Sequence, residues 1–117
     1  MPLTIKNRYG TISIENEVVA RIAGMAAMDC YGIVGMAAKN IKDGLVQLLK
    51  MESLTKGVHL NISNGSIVID LHIIVQYGTN ISAIADSIVS TVKYRVEENI
   101  GLPVADVNVF VEDVRVE

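Results

Sequence analysis

The sequence predicts an α+β two-layer sandwich, with one mixed or antiparallel sheet and two or three helices on one face of it. Three observations carry this. Residues 58–77 alternate apolar and polar side chains on both sides of Asn64-Gly65, the pattern of a β-hairpin. Residues 81–99 place apolar side chains at helical spacing and stop at Gly101-Leu102-Pro103. Strand-like and helix-like segments interleave along the chain instead of forming separate blocks. The length of 117 residues suits one domain, 1–117, with one real core.

The elements follow in order. Leu3 and Ile5 alternate with Thr4 and Lys6, and Ile12 and Ile14 with Thr11 and Ser13, so residues 3–14 read as strand interrupted at Gly10. Glu15, Asn16 and Glu17 open a helix, where acidic groups suit the positive end of the dipole. Val18, Val19, Ile22, Met25 and Ala26 form its expected buried stripe. Gly32 and Gly35 bracket Ile33-Val34 in an expected tight turn. A second, shorter helix is expected over about Asn40–Leu54, with Ile41, Leu45, Leu48 and Leu49 on its period.

In the hairpin, a two-residue turn pairs Ser63 with Ser66, so Leu60 meets Ile69 on the inner face and His59 meets Asp70 on the outer face. Ile81, Ile84, Ala85, Ile88, Val92 and Val96 make the stripe of the long helix, capped by Thr79 or Asn80. A last strand spans about Val104–Val116, with Val107, Val109 and Val111 turned inward.

Composition excludes several classes. No apolar run approaches the ~20 residues of a membrane span, and Met1–Gly10 lacks the apolar stretch of a signal peptide. The single cysteine, Cys30, excludes an internal disulfide and a cysteine-rich zinc site. The expectation is a soluble, cytoplasmic protein with no direct membrane insertion. Residues 1–56 carry seven basic and five acidic side chains, and residues 57–117 three basic and eight acidic, so the net charge of −3 comes from the second half. That balance argues against a general nucleic-acid binder, which concentrates positive charge.

Four features could carry chemistry or binding. His59, Asp70 and His72 share the outer hairpin face, and two imidazoles with a carboxylate are potential metal ligands. A solvated strand face with one His–Asp pair is the simpler reading, so neither a metal nor any other cofactor is assigned. Cys30 sits among Met25, Met28, Tyr31 and Ile33 behind a helix C-terminus, where the dipole opposes thiolate, which favours a buried structural thiol over a nucleophile. No Walker A loop, G-x-S-x-G or H-E-x-x-H occurs, and no catalytic residue is assigned. Gly32-Ile33-Val34-Gly35 matches the bare G-x-x-G loop of KH domains, which clamps the nucleic-acid backbone. An RNA-binding role through Gly32 and Gly35 is the alternative, weakened by an Ile-Val centre with no cation or polar donor for phosphate.

The fourth feature is the outer sheet face. Val68, Ile74 and Phe110 alternate onto the side away from the helices. On an uncovered sheet they would form an apolar patch, rimmed by Asn61, Asp70, His72, Gln76 and Asn108. Self-association or docking of a protein partner through this face is the expectation. His72 would give that contact a pH sensitivity, since imidazole changes charge near neutrality.

The segments GTISIENEVVARIAGMAAMDCYGIVGMAA (Gly10–Ala38), IKDGL (Ile41–Leu45), GVHL and VIDLHIIVQYGTNI (within Gly57–Ile81) and GLPVADVNVFVEDV (Gly101–Val114) resemble the alkaline-shock-protein family of envelope stress response proteins in Gram-positive bacteria. The CYGIVGMA and VQYGTNI stretches look most like its YloU-like branch. The resemblance covers roughly residues 3–116. It implies a small cytoplasmic, non-enzymatic interaction or scaffold protein, peripheral at the membrane where a separate membrane-anchor protein holds it. It further implies a link to lipid metabolism, because genes of this branch often neighbour one for a dihydroxyacetone-kinase-like fatty acid kinase. The family supplies no catalytic residues to carry over, and this chain lacks the extended polar tail of its longer members.

Overall fold

The computed structural model describes residues 3–39, 46–48, 55–63 and 65–116. The chain starts with a hairpin of β1 (Leu3–Asn7) and β2 (Gly10–Ile14), paired from Leu3↔Ile14 to Asn7↔Gly10 as a separate two-stranded sheet. Helix α1 (Asn16–Met28) follows, then β3 (Ile33–Lys39), β4 (Val46–Leu48), β5 (Val58–Ser63) and β6 (Ser66–Gln76). Helix α2 (Ile81–Ile100) leads into β7 (Val104–Arg115). The fold is α+β, with two helices among the described residues and a mixed five-stranded sheet.

β6 is the hub of that sheet. β7 pairs with it in parallel along one edge, from Ile67↔Val104 to Gln76↔Arg115. The other edge is shared. β5 takes the first half, Ser63↔Ser66 to Val58↔Leu71, and β3 takes the second half, Met36↔Ile73 to Ile33↔Val75, both antiparallel. Beyond Met36, β3 leaves β6 and pairs with β4, Ala37 opposite Leu48. Gly57 fills the fork: a Cβ there would meet Ala37 O and Met36 Cβ at 3.0 Å.

Local chemistry explains the strongest elements. Ser63 and Ser66 pair directly, and Gly65 adopts φ +77°, which glycine reaches without a Cβ penalty. The predicted register holds at every pair, with Leu60 opposite Ile69 and His59 opposite Asp70. Asn80 caps α2 by accepting a hydrogen bond from Ala83 N–H at 3.1 Å, and Gly101 ends it in the left-handed conformation at φ 83°. One cluster joins Val19, Ala23 and Ala27 of α1, Ile67, Ile69, Leu71, Ile73 and Val75 of β6, and Ile88, Val92 and Val96 of α2. Both helices therefore pack on the inner face of the sheet. An ion pair between Arg95 of α2 and Asp29 links α2 to the C-terminal end of α1, and this bond holds the guanidinium above its ordinary pKa.

Three expectations change. The helix predicted over Asn40–Leu54 is not what Val46–Leu48 forms, because those residues are a strand paired with β3; residues 40–45 and 49–54 lie outside the described residues. The tight turn at Gly32–Gly35 is a turn only at Gly32, and Ile33-Val34-Gly35 begins β3. In α1, Val18 and Met25 are each 48% exposed, and the buried face is Val19, Ala20, Ala23, Gly24, Ala26 and Ala27. The inward positions are small residues beside Val19, and Val18 and Met25 of the expected stripe ride its border.

β7 departs from simple alternation twice. The pairing with β6 shifts between Val104 and Asp106 and again between Val111 and Asp113, each shift adding one residue to β7. The sequence VADVNVFVEDVRV shows why: its valines fall at 104, 107, 109, 111, 114 and 116, spaced by two except at the two bulges, where they are spaced by three. Each bulge keeps the next valine on the inner side.

Candidate functional site

The outer face of β5, β6 and β7 gathers the side chains that the sequence marks as chemically interesting. His72 lies opposite Phe110 in the β6–β7 register, and their rings stack with centroids 5.0 Å apart and planes 15° from parallel. His59, diagonal to His72 across the hairpin, meets it edge-on, again with centroids 5.0 Å apart, at 85°. The three rings form one row across three strands. Stacking on Phe110 covers one face of His72, and Phe110 itself stays 45% exposed.

The second bulge of β7 gives this row its anchor. It lets Glu112 reach across to His72, with Oε2 2.7 Å from Nδ1. A carboxylate only accepts, so Nδ1 carries the proton and Nε2 is the ring nitrogen left to solvent or a partner. Both side chains are more than three-quarters buried. Beside the row, Asn108 donates from Nδ2 to Asp70 Oδ1 at 2.9 Å. Four polar side chains of the face are thus tied in two pairs, and His72 is braced by Glu112 on one side and stacked on Phe110 on the other.

The candidate residues fare differently. His59 and His72 come together as the hairpin register requires. Asp70 turns to Asn108 instead of joining them, and among the described residues no three His, Cys, Asp or Glu side chains are placed to hold a metal ion. Of the three apolar interface candidates, Phe110 is exposed and Val68 is half-buried, but Ile74 is fully buried. Ile74 sits opposite Gly35 and Asp113, at the end where β3 flanks β6, and Gly35 and Ala37 are buried with it. Among the described residues the outer face is partly exposed over the β5 half and buried at Ile74.

The loop reading of Gly32 and Gly35 does not survive. Gly35 is inside a strand, paired with Ile74, and Gly32 turns the chain at φ +89° against α2. A Cβ at Gly32 would meet Ile84 Cδ1 at 2.5 Å. Close packing and a left-handed backbone explain that glycine, and residues 33–35 are strand and not a loop. Cys30 is buried and its Sγ–H donates to Ala26 O at 3.6 Å, so its environment is structural.

Glu112 is the site residue that sequence reasoning missed. The signal was present in the Glu112-Asp113 pair between Val111 and Val114, which breaks the two-residue rhythm and marks the bulge that aims Glu112 at His72.

A mixed sheet with helices on its inner face and an ordered, partly exposed aromatic row on the other defines a small α+β domain with a presented sheet surface. The chain belongs to the alkaline-shock-protein family, described as having a cell envelope-related function, which it matches over residues 4–116. It is 50% identical to the uncharacterized protein YloU of Bacillus subtilis (strain 168), over 99% of this chain and 98% of that one. It is 34% identical to the uncharacterized protein Spy1614 of Streptococcus pyogenes serotype M6, over 99% of this chain and 97% of that one. A stress response regulator gls24 homolog of Streptococcus pyogenes serotype M3 is 31% identical over 91% of this chain, which spans 59% of that protein's length. No solved structure shows a significant match. Among the described residues no helix is long and apolar enough to cross a membrane.

Proposed function

We propose that this chain is a non-enzymatic interaction or scaffold protein of cell-envelope stress homeostasis, with a link to lipid metabolism. It self-associates and docks a protein partner, a membrane-anchor protein among them, through the outer face of β5, β6 and β7. On this reading the domain is a two-layer sandwich left open on that side, cytoplasmic and held at the membrane only through its partner. The observation that carries the reading is the row His59–His72–Phe110, braced by Glu112 and set on a partly exposed stretch of the large sheet. A solvated strand face needs no such ordering. Pre-ordered aromatic side chains with half-exposed edges are what a binding surface uses to limit the entropy lost on docking.

Phe110→Glu tests it. Sedimentation velocity of wild type against the variant, with a tagged pull-down from the native host under alkaline stress and without it, reads both arms. The expected result is a wild-type oligomer that dissociates in the variant and a partner recovered by wild type alone. A protein monomeric in both forms, with unchanged partner recovery, overturns the proposal.

A further inference from the structure

Three strands of the large sheet, the three-residue β4 and the longer β5 and β7, have an edge with no strand beside it among the described residues, and the edges of the two long ones are built differently. β7 carries two bulges and the charges of Asp106, Glu112, Asp113 and Arg115. Bulges and edge charges are the usual devices that keep a strand from pairing further. β5 has neither: its register with β6 is unbroken over all six residues, and VHLNIS contains no Asp, Glu, Lys, Arg or Pro.

Helix α1 runs beside that undefended edge. A cavity of about 500 Å³ lies between them, lined by Asn16, Glu17 and Ala20 of α1, Val58, His59 and Leu60 of β5, and Thr55. Successive strand side chains point to opposite faces, so three consecutive strand residues line one cavity only at the strand's edge. Asn16, Glu17 and Ala20 lie on one side of the helix, one turn apart. A groove between a helix and a free strand edge is the geometry that receives an extended peptide as an added strand.

We propose that this groove binds an extended segment of a partner protein, added as a strand to β5. The occupant is a single strand, not a second copy of this chain. The β5 edge of a second copy, VHLNIS, has no Lys or Arg to set beside Glu17. The side chains of the segment follow from the walls. Those facing α1, beside Ala20, Val58 and Leu60, are apolar, with a cation where they meet Glu17, and those alternating with them turn to the outer side beside His59. Glu17 Oε1 is held by Arg21 at 3.0 Å, and its Oε2 makes no hydrogen bond among the described residues. This surface shares His59 with the aromatic row on the outer face but includes neither His72 nor Phe110.

Selection from a phage-displayed library of random octapeptides on the full chain tests the proposal. The enriched peptides are expected to alternate apolar with polar residues and to carry one Lys or Arg on the apolar side. Titrated into isotopically labelled protein, they should shift the amides of β5 and the first two turns of α1 and slow the hydrogen exchange of β5. Glu17→Lys should weaken binding about tenfold, the scale of one charge-assisted contact, and Phe110→Glu should leave it unchanged. No enrichment, shifts that map elsewhere, or a Glu17→Lys variant that binds as wild type does overturns it. Loss of binding in Phe110→Glu would assign the peptide to the outer face instead.

Discussion

Helices α1 and α2 rest on the same face of one sheet, yet they are held there by opposite means. α2 buries Ile84, Ile88, Val92, Val96 and Ile100, a single row at intervals of four. α1 buries Val19, Ala20, Ala23, Gly24, Ala26 and Ala27, of which only Val19 is larger than alanine. The long helix is attached by filling space with branched side chains, and the short one by letting its backbone come close. A helix of the first kind is damaged by removing atoms, and one of the second kind by adding them.

The largest effect is expected from truncation in α2. Ile88→Ala removes three carbons from a fully buried site and should cost about 2–5 kcal/mol in urea unfolding, with the slope of the transition unchanged. A loss below 1 kcal/mol would mean that the row yields on truncation, and the contrast between the helices would be lost.

The converse substitution in α1 comes next. Ala23 is fully buried, and Ala23→Leu forces a larger side chain between helix and core, at a cost of about 1–3 kcal/mol. A neutral or stabilised variant in the same urea assay would show slack beside α1 and refute close approach as its means of attachment.

The smallest effects sharpen the comparison at the caps. α2 starts with an Asn80 side chain accepting from Ala83 N–H, whereas Glu15 at the start of α1 makes no such bond. Asn80→Ala should therefore lower stability by about 1 kcal/mol, and Glu15→Asn should raise it by a few tenths of a kcal/mol or more. Thermal melts of the two variants are expected to move in opposite directions.

The same contrast decides what can be read from the chain alone. α2 and the hairpin are legible because large apolar residues in a strict period have one place to go, and Asn64-Gly65 sets the register by itself. α1 is legible as a helix but not in its facing. When Ala and Gly fill the inward positions, the hydrophobic signal is carried by border residues such as Val18 and Met25, which draw the expected stripe off its true axis. The region after Gly35 misleads for a related reason. Leu45, Leu48 and Leu49 fit a helical period, but the forked partnership of β3 with β6 and then β4 is a tertiary fact with no local signature. The candidate site is half legible: alternation places His59, His72 and Phe110 together, and only the paired register reveals that Asp70 turns to Asn108 and Glu112 to His72.

The parallel pairing of β6 with β7 has a consequence for the order of assembly. β5 and β6 can close on each other through a two-residue turn, a contact that costs little loop entropy. β7 reaches β6 only after α2 has been made and laid down, so it joins late on any route governed by chain separation. Phe110 and Glu112 come from β7, and His72 has neither its stacking partner nor its carboxylate until that strand docks. The aromatic row is thus absent from a nascent or C-terminally clipped chain whose hairpin is already formed. A protein that recognises this row engages finished molecules and passes over incomplete ones.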